Sequence, residues 1–542
     1  MTQNNTYLAI TIGPIYKTMT MARKTREFWG ASLLISLLSK ELCQAIRDNK
    51  IKNDDFLVPH SSIFSDTKKD IKDIGLYLDR IICKADEKIW PDIETNVIDV
   101  ALDKLSTEII SVFADFKTMK VASLTEAELK GYLKNYFKIY TVFKEADVKH
   151  PLKELSEHLN TLELFNINDA DSTTESVIKY FMENVNTEYD KNNKAVHNSF
   201  LVKYFSIKDF NCNIRIPSIT EISTKPIANL KIAEDEDTYK TILNKNIWTD
   251  KPNEDKIFPA LRKSYPNQIR NHFKYIAILQ ADGDKLGSFL LNSDENTVKN
   301  LSKALIDWCS GAALSDIKEY GALPIYIGGD DVMCFAPVNN GKETILDLAC
   351  KLNKSFKNAV NDISVESTLS IGIKIAYYKS PMGESYEETF PLLRDKAKEY
   401  KLKKNKANAC AINLEKHSGQ PHELIFNFTE EYDILIKPLY EKMSTDSGKK
   451  SFISSVFYKI RANETLLSII KDDEDRMWYF FDNNFDSEKD FLKAVCKYLF
   501  HLFARYGDDK IDDKQNELKA TNYLYSTLKI IRFIKGLDYD NE

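Results

Sequence analysis

The sequence predicts an α+β protein in which a ferredoxin-like domain lies between mainly helical regions. From about residue 273 to 413, strand and helix patterns alternate in the order β-α-β-β-α-β, which is the ferredoxin-like arrangement. From about 67 to 205 and from about 420 to 542, Leu, Ile, Phe and Tyr recur at helical spacing, which predicts a helical insertion and a C-terminal helical bundle. Nine of the 17 glycines lie between 283 and 383, and glycine is used where backbone comes close to another group.

The composition excludes several classes of protein. The chain has 542 residues, of which 43% are hydrophobic and 29% charged, so it is neither disordered nor collagen-like. At roughly 100 to 200 residues per domain, we expect three or four domains. No apolar run approaches the roughly 18 residues of a membrane span, and the first residues lack the pattern of a secretory signal. We therefore expect a cytoplasmic protein without membrane contact.

Cysteine spacing and net charge exclude further possibilities. The eight cysteines include no CxxC pair, so neither a disulfide framework nor a thiolate zinc site is predicted. The 75 Lys and Arg against 81 Asp and Glu give a net charge of −6. Nucleic acid is therefore not bound through bulk charge, and any such contact must use local patches.

The first predicted domain spans residues 1–250 and contains the helical insertion at about 65–205. It opens with an apolar strand at 7–12, followed by Gly-Pro and a helix from about 16 to 47. Within that helix we expect Trp29 to be part of the core. The neighbouring basic cluster, by which we mean Arg23, Lys24 and Arg26, has two open interpretations: contact with RNA or an adjacent subunit, or a solvated helix face.

The second predicted domain spans residues 251–416, after a polar, acidic boundary, and the helical domain 417–542 follows it. KYIAILQAD reads as its first strand, and PIYIGGDDVMCFAP reads as two apolar arms around a hairpin turn. The remaining helices and strands are predicted at 299–310, 345–360, 367–378, 386–403 and 409–412.

Three or four carboxylates are expected to meet at one edge of this sheet. Asp282 and Asp284 end the first strand, and Asp330 and Asp331 lie in the hairpin turn. A right-handed crossover returns the second strand parallel to the first, so the hairpin turns at the edge where the first strand ends. Crowded carboxylates repel and usually persist because a hard divalent cation neutralises them. The pattern therefore predicts a two-metal Mg²⁺ or Mn²⁺ site for in-line displacement at a nucleotide α-phosphate.

The glycines next to these carboxylates support the same interpretation. Gly283 and Gly287 would let backbone approach the metal, and N–H groups at the start of the following helix would cradle a triphosphate. Gly328 and Gly329 would open the turn for a nucleotide. A GGDD or DGD motif alone is most often only a polar turn, but the two together favour a nucleotidyl-transfer site.

Several of these segments resemble one known family. YIAILQADGDKLG, LPIYIGGDDVMCFAP, LSIGIKIAYYKSP and KNKANACAI resemble the GGDD palm domain of the large subunit of type III CRISPR effector complexes, which is related to GGDEF nucleotide cyclases. IGPIYKTMTMARKTREFWGASLLISLL and PSITEIST resemble the Cmr (type III-B) branch. The resemblance implies two ferredoxin-like palm domains, the first degenerate, with Thr11 and Gly13 where a metal-binding Asp would be, and the second active.

The resemblance also implies roles for individual residues. It implies metal ligands at Asp282, Asp330 and Asp331, with Gly283 and Asp284 beside them. Ser370 and Gly372 would line the nucleotide pocket, and Lys406 and Asn408 would lie close to phosphate or base. Tyr377 stands where relatives often have His, which puts the acceptor site in doubt.

By the same resemblance, target RNA would activate synthesis of cyclic oligoadenylate from ATP, or the joining of AMP to S-adenosylmethionine. The implied partners are other Cmr-type subunits, the guide CRISPR RNA and target RNA. No histidine is followed by Asp, so we expect no His-Asp nuclease activity, and the four-cysteine zinc site of some relatives is missing. Two alternatives stay open: a scaffold subunit that binds ATP without turnover, and a stand-alone GGDEF-like cyclase that uses GTP.

Overall fold

The structure is a computed structural model that describes residues 4–64, 75–114, 125–168, 216–229, 239, 241–243, 256–265, 269–402, 405–417, 421–507 and 513–538. These residues form an α+β protein with a four-stranded and a six-stranded sheet and a two-stranded hairpin. None of the helices described is long and apolar enough to cross a membrane.

The first sheet has the strand order β2-β3-β1-β4, and all its pairings are antiparallel. Its strands are β1 Asn4–Gly13, β2 Phe56–Val58, β3 Arg80–Lys84 and β4 Lys138–Asp147. Helices follow β1 and β3, so chain order and sheet order are those of a ferredoxin-like unit. The helices of this part are Ile15–Thr20, Thr25–Asp48, Val100–Ala114, Glu126–Tyr136 and Pro151–Asn168, with Ile219–Asn229 and Ile257–Ser264 further along the chain.

The predicted helical insertion at about 65–205 is wrong for part of its length, because β3 and β4 lie inside it. β3 has the sequence RIICK, and so short an apolar run is not distinguished from a helix segment by its periodicity. Residues 65–74, 115–124 and 169–215 lie outside the described part of the chain. The helix predicted at 16–47 is interrupted between Thr20 and Thr25, where the basic cluster begins.

The second sheet has the strand order β12-β11-β8-β5-β7-β6. Its strands are β5 Tyr275–Gly283, β6 Leu323–Gly328, β7 Asp331–Pro337, β8 Leu369–Tyr377, β11 Ala409–Leu414 and β12 His422–Asn427, and the hairpin is β9 Lys401–Leu402 with β10 Asn405–Lys406. β5 to β8 form the ferredoxin-like unit; β11 adds parallel to β8, and β12 adds antiparallel to β11. The sheet thus continues past residue 416, where the sequence predicts the end of this domain.

Helices cover both faces of the second sheet and form the region after β12. Between its strands lie Leu286–Leu291, Glu295–Trp308, Leu314–Tyr320, Ile345–Asn361, Met382–Glu387, Thr389–Pro391 and the π-helix Leu392–Ala397. After β12 come the π-helix Phe428–Ile436 and the helices Lys437–Lys442, Lys450–Ala462, Glu464–Ile470, Glu474–Asn484, Lys489–Gly507 and Asp513–Ile534.

The two sheets share a hydrophobic core. Alternate residues of a strand face opposite sides of a sheet, and in β5 Ala277 and Leu279 pack with the helices that follow, including the C-terminal ones. Ile276 and Ile278 pack instead with the first domain. There the Phe28 ring meets Phe335 of β7 edge-on at 5.3 Å, and Trp29 is buried, as predicted. The second sheet is therefore held against the first domain by the face that carries Asp282.

Candidate functional site

Asp282, Asp330 and Asp331 come together at one edge of the second sheet. Asp282 is the penultimate residue of β5, and Asp331 begins β7. Ala281 pairs with Val332 in the antiparallel register, so Asp282 and Asp331 are next to each other on neighbouring strands. Asp330 reaches the same place from the turn, since a Cβ at Gly283 would lie 2.7 Å from its Oδ2. The three residues form what we call the carboxylate cluster.

The turn itself is a two-residue hairpin loop. Gly328 pairs with Asp331, which leaves Gly329 and Asp330 as the central residues. Gly329 has φ +63°, the left-handed conformation that glycine adopts without strain and that tight hairpin loops require. Glycine is thus needed at 329 for the shape of the turn.

The space beside the two turn glycines is filled by protein. A Cβ at Gly328 would collide with the Tyr326 ring, and one at Gly329 would lie 3.0 Å from Leu78 Cδ2. Our expectation that these glycines leave room for a nucleotide is therefore wrong on the side where a Cβ would lie. At Gly328 that space is taken by Tyr326 of the same strand, and at Gly329 it is taken by Leu78 of the first domain.

The electrostatics of the carboxylate cluster are unfavourable for three negative charges. Loss of hydration, followed by repulsion from Asp282, raises the pKa of Asp330 from 3.8 to about 7. The same causes raise the pKa of Asp331, and Asp79 of the first domain adds to the repulsion. Asp331 nevertheless reaches solvent and Asp330 is half-buried, so the cluster is accessible from solvent.

Lys398 supplies the positive charge at this site. Its ammonium forms an ion pair with Asp282 Oδ2 and donates to the Gly283 carbonyl oxygen at 3.0 Å. The sequence pattern does not distinguish this residue, because Lys398 begins a lysine-rich run at a helix end, where cations suit the helix dipole. Only the fold shows that this helix end points at the cluster.

Asp284 has a different role from its three neighbours. It is buried, and its Oδ2 accepts three hydrogen bonds: from Thr368 Oγ1 at 2.6 Å, from Ser370 Oγ at 3.0 Å and from the Asn408 backbone N–H at 3.0 Å. These bonds oppose the rise in its pKa that burial causes. Asp284 therefore ties β5 to β8 and to the segment before β11. Its Oδ1 is buried and has no hydrogen-bond partner among the described residues.

Ser370 and Asn408 are engaged by the protein rather than open to a ligand. Ser370 is fully buried and donates to Asp284. The Asn408 side chain accepts from Asn353 Nδ2 at 2.9 Å and donates to Thr429 Oγ1 at 2.8 Å. The expected nucleotide contacts of these two side chains are thus not supported, although both lie directly behind the cluster.

Gly372 serves packing, which corrects its expected place in the nucleotide pocket. A Cβ there would lie 2.7 Å from the Leu393 backbone nitrogen, so the bare strand lets the π-helix Leu392–Ala397 approach β8. That π-helix leads directly to Lys398. Gly372 therefore contributes to the site indirectly, by placing the lysine.

The other expected site residues lie at different distances from the cluster. Gly287 is exposed in the six-residue helix after β5, with open space around it. Lys406 lies in β10, and its side chain is outside the described structure. Tyr377 pairs with Tyr275 at one end of β8, whereas Leu369, at the other end, pairs with Gly283. The Tyr377 ring stacks on the His417 ring, with the ring centroids 4.9 Å apart. Tyr377, which stands where relatives often have His, therefore lies at the end of β8 opposite the one that pairs with Gly283.

The cluster has the donor chemistry of a divalent-cation site but is not a closed ligand set. Within the described parts of the chain, no three His, Cys, Asp or Glu side chains are grouped so as to hold a metal ion by themselves. Mg²⁺ needs only one or two protein carboxylates and takes its other ligands from water and substrate phosphates. Asp282 and Asp331, side by side, would provide those two carboxylates, and burial and repulsion from Asp282 raise the pKa of Asp330 although Lys398 is close by.

We expect the cluster to destabilise the folded protein as pH rises, when no divalent cation is added. Between pH 3.8 and about 7 the folded state holds the Asp330 proton and the unfolded state does not, so the free energy of unfolding falls as pH increases through this window. Asp330→Asn should therefore melt roughly 2 °C above the wild type at pH 8 and at the same temperature at pH 3.5. Melting curves at both pH values check this.

The control is Asp362→Asn, which changes an exposed carboxylate at the end of the helix Ile345–Asn361. Its melting temperature should follow the wild type at both pH values. If the melting temperature of Asp330→Asn also equalled that of the wild type at pH 8, the charge on Asp330 would not destabilise the folded protein.

Comparison with known proteins finds matches over both sheets. A family model described as Cas10/Cmr2, second palm domain, matches residues 275–408, and one described as CRISPR-associated protein Cmr2, N-terminal, matches residues 7–125. The Cmr subunit Cmr2 of the CRISPR system of Pyrococcus furiosus is 30% identical over an alignment of 178 residues that covers 28% of this chain and 20% of that relative.

Solved structures with the same fold cover most of the chain. A chain of the type III-B Cmr-beta complex in its apo state has a TM-score of 0.61 at 11% identity, over 94% of this chain and 82% of that one. The same complex bound to cognate target RNA gives 0.55 at 12% identity, over 94% and 83%. A Csm1–Csm4 cassette in complex with cA4 gives 0.52 at 11% identity, over 98% and 70%. At these identities the similarity is one of fold.

Proposed function

The chain belongs to the Cas10/Cmr2 family of type III-B CRISPR large subunits, and from this we propose that it is a target-RNA-activated, metal-dependent nucleotidyltransferase. Its product would be an adenylate second messenger made from ATP for antiviral defence: a cyclic oligoadenylate, or AMP joined to S-adenosylmethionine. The observation that carries the proposal is the convergence of Asp282, Asp330 and Asp331 at an accessible edge of the second sheet.

The energetic argument rests on repulsion within the carboxylate cluster. Burial and repulsion from Asp282 raise the pKa values of Asp330 and Asp331, which disfavours the charged form of the site. Bound Mg²⁺ or Mn²⁺ would neutralise them, offset the charge of the triphosphate and polarise its α-phosphate. The residues that would hold the cation are Asp282 and Asp331 on neighbouring strands, with Asp330 from the turn.

Lys398 is the protein group placed to position the triphosphate. It now balances the charge of Asp282, and it becomes available for a phosphate oxygen once that carboxylate is otherwise neutralised. In the reaction, an acceptor hydroxyl attacks the α-phosphorus of ATP. A new P–O bond forms as the bond to the β-phosphate oxygen breaks, pyrophosphate leaves, and the hydroxyl proton passes to solvent.

We further propose that the first sheet is a degenerate palm. β1 and β5 both end in glycine, and those glycines, Gly13 and Gly283, pair with the first residues of β4 and β8. By this register Ile12, rather than Thr11 or Gly13, stands where the second sheet has Asp282. This domain and the C-terminal helices would bind other Cmr-type subunits and sense the guide and target RNA.

One observation favours a second candidate function, a scaffold subunit that binds ATP without turnover. Asp282 is already paired with Lys398, and the described residues contain no ready three-ligand metal group. In such a scaffold the lysine would permanently replace the cation. The two candidates differ in whether product forms.

The test incubates the purified effector complex with labelled ATP, with and without S-adenosylmethionine and target RNA, in Mg²⁺ or Mn²⁺. The comparison is Asp330→Ala/Asp331→Ala in the same complex. We expect product only with target RNA and only from the wild type. ATP binding without product would establish the scaffold, and product from the isolated subunit without RNA, particularly from GTP, would establish a stand-alone cyclase.

A further inference from the structure

The edge strand of the second sheet is covered by the first domain at the position that leads into the carboxylate turn. β6 has β7 on one side and no other strand of its sheet on the other. On that open side Gly75 forms a parallel bridge with Tyr326, and its carbonyl oxygen accepts the Ile327 N–H at 3.2 Å. An exposed strand edge readily pairs with another segment, and here that segment belongs to the first domain.

Residues 75–78, which we call the bridging segment, are held by one face of the helix Thr25–Asp48. Ser36 Oγ accepts the backbone N–H groups of Leu76 at 3.1 Å and Tyr77 at 2.9 Å. Ser39 Oγ donates to the Leu78 carbonyl oxygen at 2.5 Å. The two serines are three residues apart and so lie on one side of the helix, which makes the helix a rigid support for the segment.

The bridging segment is packed tightly against the helix and against the turn. A Cβ at Gly75 would collide with Ser32 Oγ of the same helix, so the segment has no room to move towards it. At its other end, the Leu78 side chain lies against Gly329, the first central residue of the turn. The segment therefore touches both β6 and the turn.

This arrangement divides the site into two mechanical parts. Asp282 lies on β5, which pairs with β7 and β8 in the middle of the sheet. Asp330 and Asp331 lie at the hairpin tip, whose outer strand leans on the first domain. A displacement of the bridging segment would therefore move the tip more than β5, which is also held by β7 and β8 and by the core that it shares with the first domain.

We propose that the bridging segment positions the Gly329–Asp330 turn, so that the helix Thr25–Asp48 of the first domain sets the separation between Asp282 and the two turn carboxylates. The inference rests on the proposed function only for its effect on catalysis. Ser36, Ser39 and Gly75 are positioning residues: they act through the turn and do not contact substrate. This gives a physical route by which movement of the first domain switches the site on or off.

The test is Ser36→Ala/Ser39→Ala, with Gly75→Ala as a second variant, whose added Cβ would push the segment away from the same helix. The matched control is Ser106→Ala, which removes a buried hydroxyl that donates to the Leu102 carbonyl oxygen at 2.7 Å on another helix of the first domain. Hydrogen exchange is measured in the intact complex for peptides covering 323–331 and 275–283, together with the RNA-stimulated rate of product formation.

We expect exchange in the 323–331 peptide, including the Ile327 amide, to become about tenfold faster in both variants, because their backbone hydrogen bonds open more often. Exchange in 275–283 should stay unchanged, and the RNA-stimulated rate should fall about tenfold. The control should match the wild type in every readout. The proposal would be overturned by unchanged hydrogen exchange in the 323–331 peptide, or by faster exchange in that peptide together with an unchanged RNA-stimulated rate of product formation.

The outcome also separates this inference from the proposed function. A wild-type complex that makes no product refutes the nucleotidyltransferase, and the exchange of the 323–331 peptide then decides alone whether the bridging segment holds the turn. Product in the wild type with unchanged exchange in the variants supports the enzyme and refutes the positioning role.

Discussion

Asp331→Asn is expected to lower the rate of RNA-stimulated nucleotidyl transfer at least about a thousandfold. Electrostatic stabilisation of a transferring phosphoryl group is usually the largest single contribution to catalysis, and under the proposed function it would depend on a cation held with the help of Asp282 and Asp331. The amide keeps the shape of the side chain and removes its charge, so the fold should survive. Single-turnover rates with labelled ATP, measured alongside melting temperature, check both statements.

Two matched variants make this prediction specific. Asp362→Asn removes an exposed carboxylate on the same domain and should keep the wild-type rate. Asp284→Asn preserves an acceptor for Thr368, Ser370 and the Asn408 N–H and should keep the rate within about threefold if Asp284 is a structural tie. A loss in Asp284→Asn as large as in Asp331→Asn would instead make its buried Oδ1 a ligand. A near-normal rate in Asp331→Asn would refute the proposed site.

Gly283→Ala is expected to reduce the rate by about a hundredfold, while Gly287→Ala leaves it unchanged. A Cβ at Gly283 would lie 2.7 Å from Asp330 Oδ2 and 2.8 Å from Asp330 Cβ, whereas one at Gly287 would meet nothing within 4 Å. The turn carboxylate must therefore move away from Asp282 in the first variant only, and an error of about 1 Å at a reacting centre costs roughly that factor. The two glycines are four residues apart in the same motif, which makes them a close comparison.

The measurement is kcat and KM for ATP in the assembled complex, with melting temperature as the control for folding. We expect Gly283→Ala to lower kcat more than it raises KM, because the displaced carboxylate acts on the reacting phosphate. Equal activity of the two glycine variants would show that the close approach of Gly283 to Asp330 has no functional meaning.

The sequence predicted the second ferredoxin-like unit better than the first. In β5 and the β6–β7 hairpin, apolar runs are bounded by Gly-Asp turns, and such local patterns are visible without any long-range information. β3 and β4 were assigned to a helical insertion because their strand character depends on pairing with β1, far away along the chain. β12 was missed for the same reason, since it is defined by its pairing with β11.

For the site, residue type and chain position were enough to select Asp282, Asp330 and Asp331, because the ends of neighbouring strands meet at a sheet edge in this fold. They were not enough for Gly372, whose bare face is filled by Leu393, or for Asp284, Ser370 and Asn408, which bind one another. Glycine, aspartate, serine and asparagine at these positions would suit a nucleotide pocket as well as they suit packing and hydrogen bonding within the protein.

By itself, then, the sequence determined the α+β class, the hairpin and the set of carboxylates at its turn, since these follow from strand periodicity and glycine placement over short distances. Only the tertiary structure decided which polar side chains are satisfied by the protein, which lysine reaches Asp282, and that residues 75–78 support the turn. Those features depend on which distant segments come within hydrogen-bond and van der Waals range, and the spacing of residues along the chain does not specify which segments meet.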